Sequence, residues 1–211
     1  MTTTDFNKHL SGGHALTLDG HIRMGASWDV SSRGKGGLKG MLSRFVGADI
    51  DAVALVVENG QPTALAGLGN NDPLGNGSVL HSGDNQNGKA DGDDEVIDLH
   101  LGRITPAVQK IYLAVTAFKK INEAWNKLSN TSGFGGADNV KFKIYDMAVS
   151  GTTPLFEVKP SMLTTQNTWV MAVLTPKAGA SGFWEMEKVD KYIDVKYDSR
   201  DDLVTQIMST R

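Results

Sequence analysis

The chain has 211 residues, 40% of them hydrophobic and 21% charged, with a formal net charge of -3; this suits one sizeable domain with a buried core and excludes a disordered chain or a coiled coil. The small net charge gives no ground for a nucleic-acid or membrane partner, and the absence of cysteine excludes disulfides, thiolate metal sites and thiol redox chemistry. The 24 glycines exceed the ordinary share of about 7%, which points to many tight turns between short strands.

The N-terminal MTTTDFNKHL has no apolar leader core and no apolar run approaches the roughly 20 residues that cross a bilayer, so a cytoplasmic location is expected. Residues 21–29 alternate loosely and end in Trp28 and Asp29, as a strand entering a loop does. Residues 31–40, rich in glycine and lysine, lack the order of a phosphate-binding loop and are expected to be a solvated basic loop. Asp49 and Asp51 open an apolar run to Val57 that predicts a strand buried on both faces. Residues 67–77 are turn, 78–81 a short strand, 96–101 a half-buried alternating strand, and 110–118 another. Ile121, Trp125 and Leu128 suit a short amphipathic helix. Strands are expected at 140–145 and 169–174, with 183–189 as an edge or outer strand. Val195, Leu203, Ile207 and Met208 allow a terminal helix in the charged tail.

Residues 82–95 hold five carboxylates, Asp84, Asp91, Asp93, Asp94 and Glu95, against one base, Lys89. Two unit charges about 5 Å apart repel by roughly 3 kcal/mol at an effective dielectric near 20, so the acids either splay into water as a hairpin turn or gather round a cation. The donors on offer are all oxygen: carboxylates, the amides of Asn85, Gln86 and Asn87, and carbonyls beside Gly83, Gly88 and Gly92. That set favours a hard cation, and a long glycine-articulated loop selects calcium over magnesium. Asp84 and Glu95 stand at positions 1 and 12 of an EF-hand-sized window, but Gln86, Gly88 and Lys89 break the interior pattern, so further ligands must come from elsewhere. Asp49 and Asp51 are the favoured donors.

Gly83-Asp84-Asn85, Gly88 and Asp91-Gly92-Asp93-Asp94-Glu95 resemble the GDN(x2)GxGDGDDE signature of the TerD family, named for tellurium resistance, with Ala90 in place of a glycine. Residues 24–29, 48–52, Asn70 with Asn71, 104–116, 144–146 and 172–189 are similar to further family segments in the same order. The resemblance implies a mainly β fold, a two-sheet β-sandwich with calcium-binding loops at one end and one or two short helices, over residues 1–190, followed by a tail at 191–211. It also implies more than one calcium site. The positions it carries over are Asp49, Asp51, Asn70, Asn71, Asp84, Asn85, Asp91, Asp93, Asp94 and Glu95, with Asp29 a weaker candidate.

Three functional classes follow. The favoured one is a non-enzymatic calcium-dependent scaffold in a stress response, with protein partners and peripheral contact with the membrane surface. The alternative is a structural subunit of a larger assembly, such as a phage virion. An enzyme is disfavoured, because His81-Ser82 near Asp84 lies on a strand where neighbours face opposite ways and no nucleophile elbow or paired-histidine metal motif occurs. The five histidines are scattered and expected to pack or face solvent, and Trp28, Trp125, Trp169 and Trp184 to serve the core. Direct tellurite chemistry conflicts with an acidic loop and a chain without thiols.

Overall fold

A computed structural model describes residues 15–30, 49–85, 92–118, 134, 137–159, 166–196 and 199–210. Their strands are β1 (Leu16–Leu18), β2 (His21–Val30), β3 (Asp49–Glu58), β4 (Gln61–Ala66), β5 (Val79–His81), β6 (Glu95–His100), β7 (Val108–Phe118), β8 (Ala137–Asp146), β9 (Phe156–Val158), β10 (Thr168–Pro176) and β11 (Trp184–Ile193). They form a six-stranded sheet in the order β1-β11-β10-β7-β3-β4 and a five-stranded sheet in the order β5-β6-β2-β8-β9.

Alternation along the strands builds the interior. Ile22, Met24, Ala26 and Trp28 of β2 share one buried cluster with Ile50, Ala52, Ala54 and Val56 of β3, so the two sheets close face to face. The intervening residues of β3, Val53, Leu55 and Val57, form a second cluster on the opposite face of the six-stranded sheet. The expectation of a strand buried on both faces is met at β3. Its outer cover is the helix α1 (Arg200–Met208), which buries Leu203 and Ile207.

Local chemistry sets that helix in place. The Ser199 side chain accepts from the Asp202 backbone N–H, and Asp201 and Asp202 lie in the first turn, where the helix dipole favours acids. Asn167 steers the chain into it: its Nδ2 donates to the Val195 carbonyl at 2.7 Å while its Oδ1 accepts from Val195 N at 2.9 Å.

The segment 183–189, read as an edge or outer strand, forms β11 in the outer part of its sheet, one strand in from the edge, between β10 and the three-residue β1. The edge on the other side is β4, whose Pro62 an edge strand tolerates. The helix expected around Ile121 to Leu128 and the basic loop at 31–40 lie outside the described residues.

The end of β4 creates the space that matters most. Its last pair with β3 is Ala66 with Ala54. Gly67, at φ +97°, then turns the chain away; a Cβ there would press on the Ala52 carbonyl oxygen at 2.5 Å, so only glycine fits. Gly67 and Asn70 exchange two backbone hydrogen bonds at 3.0 Å, and the chain crosses to β5 in the other sheet. The start of β3 is thus left without a β4 neighbour on that side.

Candidate metal centre

Asp51, Asp84 and Glu95 meet at this end of the sandwich, each offering a carboxylate oxygen, with all three oxygens within 4.8 Å of one another. Asp51 comes from β3, Glu95 from the first position of β6 in the opposite sheet, and Asp84 from the turn after β5. The two ends of the acidic loop are therefore joined, and the third carboxylate comes from one of the two residues favoured for that role. Asp49 heads β3 two residues earlier.

Glu95 is the centre of the arrangement and is fully buried, at 0% exposure. Its Oε2 accepts from Ala52 N of β3 at 2.9 Å, an N–H that β4 no longer covers. The same oxygen lies 3.1 Å from His81 Nε2, and Oε1 accepts from Asn85 N at 3.0 Å. One carboxylate thereby ties together both sheets and the loop. A buried carboxylate requires such donors, since an unsatisfied charge away from water is far too costly.

Around it, the other candidates divide. Asn85 donates from Nδ2 to Asp94 Oδ1 at 3.2 Å, and Asp94 extends the β2–β6 ladder beyond its last pair. Asp94 N donates to the Ala26 carbonyl at 2.7 Å, and Oδ2 accepts from Trp28 N at 2.9 Å. Asn71 offers its carbonyl to His81 N at 2.8 Å and stands beside Gly83, while Asn70 is engaged through its backbone with Gly67. Asp91 and the Asp49 side chain lie outside the described residues. Asp29 accepts from Asn139 Nδ2 at 2.6 Å.

Asp93 goes elsewhere. Its Oδ1 lies 2.6 Å from Lys143 Nζ and its Oδ2 accepts from the Tyr145 hydroxyl at 2.8 Å, on the outer face of the five-stranded sheet. Gly25 makes room for it, because a Cβ at that position would collide with the Asp93 carboxylate. Burial, and then the bond to Asp93, push the Tyr145 hydroxyl far above its ordinary range, which makes it a fixed donor. On the same face Arg23 makes two bonds to Asp98, at 2.8 and 2.9 Å, and His21 approaches it at 2.7 Å. Burial alone would raise the Asp98 carboxyl; the bonds from Arg23 and His21 outweigh it and hold the group below its ordinary value.

His81 was not among the sequence candidates. Val79 and His81 are the buried residues of β5, with Leu80 between them, so the period-two pattern placed an imidazole on the inward face beside the acidic loop. For Lys143 and Tyr145 no local signal existed, since their partner lies about fifty positions away.

The donor set fits a hard cation. Three carboxylates within 4.8 Å repel by roughly 3 kcal/mol per pair at an effective dielectric near 20, and a divalent ion among them removes that penalty. Fold and site together define a two-sheet sandwich in which the two described ends of the acidic segment, at Asp84 and Glu95, meet Asp51 of the opposite sheet. The TerD domain model matches residues 8–196, and the chain belongs to that family.

Among curated relatives, tellurium resistance protein TerZ of Serratia marcescens is 28% identical over 125 residues, covering 58% of this chain and 64% of TerZ. General stress protein 16U of Bacillus subtilis is 37% identical over 70 residues, a third of each chain (33%). The matches therefore span less than two thirds of these relatives. A crystal structure of a homologue of telluride resistance protein TerD from Streptomyces coelicolor superposes with a TM-score of 0.66 at 15% identity, over 90% of this chain and 98% of that one. A second solved structure, of a protein described as of unknown function, gives 0.64 at 19% identity, over 92% and 98%. These establish the fold.

Proposed function

We propose that this protein is a calcium-binding, non-enzymatic member of the TerD family, in which calcium clamps the acidic loop to both sheets and readies that end of the sandwich for a protein partner. The observation that carries this reading is the convergence of Asp51, Asp84 and Glu95 from β3, the loop and β6. Those carboxylates would hold the ion, with the amide oxygen of Asn85 close at hand; the ion's contribution would be charge neutralisation and cross-linking of the three segments. The names of the relatives, tellurium resistance and general stress proteins, support a role in a stress response. A role as a scaffold within a stress complex in the cytoplasm is part of the same proposal. No helix of the described residues is long and apolar enough to cross a membrane.

Thermal melts in calcium and in chelator test this directly. At a hundredfold excess over its Kd, calcium is expected to add about 2.7 kcal/mol, a rise of roughly 5–10 °C for a domain of this size. Asp84→Asn and Asp51→Asn are expected to shrink that rise and weaken calcium binding by tenfold or more in calorimetry. Identical melts with and without chelator, together with no calorimetric heat, would sink the proposal.

A further inference from the structure

We infer that His81 is a positioning residue of this centre, locked in the tautomer that donates from Nε2 to Glu95 and so kept out of the metal's own ligand set. The inference rests on the reading of Asp51, Asp84 and Glu95 as a cation site.

The argument starts from a backbone N–H, which can only donate. Gly83 N points at His81 Nδ1 at 3.0 Å, so Nδ1 is the bare ring nitrogen, and the neutral imidazole carries its hydrogen on Nε2. Nε2 lies 3.1 Å from Glu95 Oε2. The His81 side chain is 2% exposed and that of Glu95 0%, so water does not compete for either bond. Gly83 can make its bond because it adopts φ +102°, a conformation that glycine reaches without strain.

Two consequences follow. Oε2 accepts from both His81 and Ala52, whereas Oε1 accepts from Asn85, so the spare acceptor capacity of Glu95 lies on Oε1. His81 thus selects which carboxylate oxygen is presented. Meanwhile neither ring nitrogen has a lone pair to give: one is taken by Gly83 and the other bears a proton. A buried imidazole bonded to one of three clustered carboxylates would ordinarily favour zinc or another transition metal; locked in this form, it leaves the donor set all oxygen.

The test compares full-length wild type, His81→Gln, which keeps an N–H donor and an acceptor, and His81→Ala. In calorimetry with calcium, H81A is expected to bind about 10–100-fold more weakly and H81Q within about threefold of wild type. Zinc affinity is expected to be the same for wild type and H81Q, because no nitrogen ligand is lost. Long-range proton–nitrogen NMR correlations of the calcium-free protein should show His81 with a bare Nδ1 and a protonated Nε2, a readout that holds even where H81A does not fold. Wild-type calcium affinity in a folded H81A, zinc binding lost in H81Q, or the opposite tautomer would each overturn the inference while leaving the cation site standing. A wild type that binds no divalent cation would remove the site itself, and the inference with it.

Discussion

At Gly25 a missing side chain decides the fate of an acid. The Asp93 carboxylate occupies the space a Cβ would fill, and from there it reaches Lys143 and Tyr145. Gly25→Ala is expected to eject Asp93 and cost about 1–3 kcal/mol, since a part-buried charged group loses its partners. In an Asp93→Ala background the same change should cost little, so urea melts of the double-mutant cycle should show strong non-additivity; two additive penalties would contradict the steric account. A neighbouring pair carries a pH signature. Because Asp98 titrates lower in the folded chain than in the unfolded one, its stabilisation is complete above the ordinary carboxylate value and disappears as pH falls through the depressed one. Acid-unfolding curves of wild type and Asp98→Asn should therefore differ near neutrality and converge in acid. His100 acts one step earlier. Burial, and then repulsion from His21 and Arg103, lower its proton affinity, so stability falls as pH drops below its ordinary 6.5. His100→Asn should flatten that first part of the loss.

At the scale of elements, the six-stranded sheet has two apolar faces and only one is covered by the other sheet. Val53, Leu55, Tyr112 and Val170 depend on α1 for cover. Leu203→Ala is expected to cost about 2–5 kcal/mol in urea melts, as a fully buried leucine does. An effect below about 1 kcal/mol would mean that the helix merely rests on the sheet. The elements that could be read from the sequence are those with a long, regular pattern. β2, β3, β7, β8 and β10 run 9–11 residues and alternate or stay apolar throughout. β1 and β9 have three residues each and no flanking signal like the turn-rich 67–77 and acidic 82–95 segments that bracket the equally short β5. β4 was hidden by Pro62, which reads as a breaker until the strand is known to lie at an edge. The same distinction holds at the candidate metal centre. Asp84, Asp94 and Glu95 announce themselves as a local cluster and Asp51 by its place at a strand mouth, whereas the bonds of Asp93 to β8 depend on a register that only the folded sheet sets.

For the whole molecule, the described residues form two sheets closed on one core, with α1 over the outer face of the six-stranded sheet and Asp51, Asp84 and Glu95 gathered at one end. Neutralising that end should alter its surface more than its core. If calcium governs a partner interaction, light scattering in calcium and in chelator should show the assembly state change while circular dichroism of the sheets stays constant; loss of strand signal in chelator would instead assign the ion a folding role.

The gap left where β4 departs has one more implication. The Ala52 N–H that binds Glu95 lies 43 positions away in sequence, on a strand that pairs with β7, while Glu95 opens a strand of the opposing sheet. A synthetic peptide of residues 82–95 owns most of the acids but none of that template, so it should bind calcium far more weakly than the intact chain, and grafting the loop onto an unrelated hairpin should not transfer the affinity. Calcium would then read out completed assembly of the chain: the ion is captured only after two distant stretches of sequence have found each other, and a partially unfolded molecule would release it.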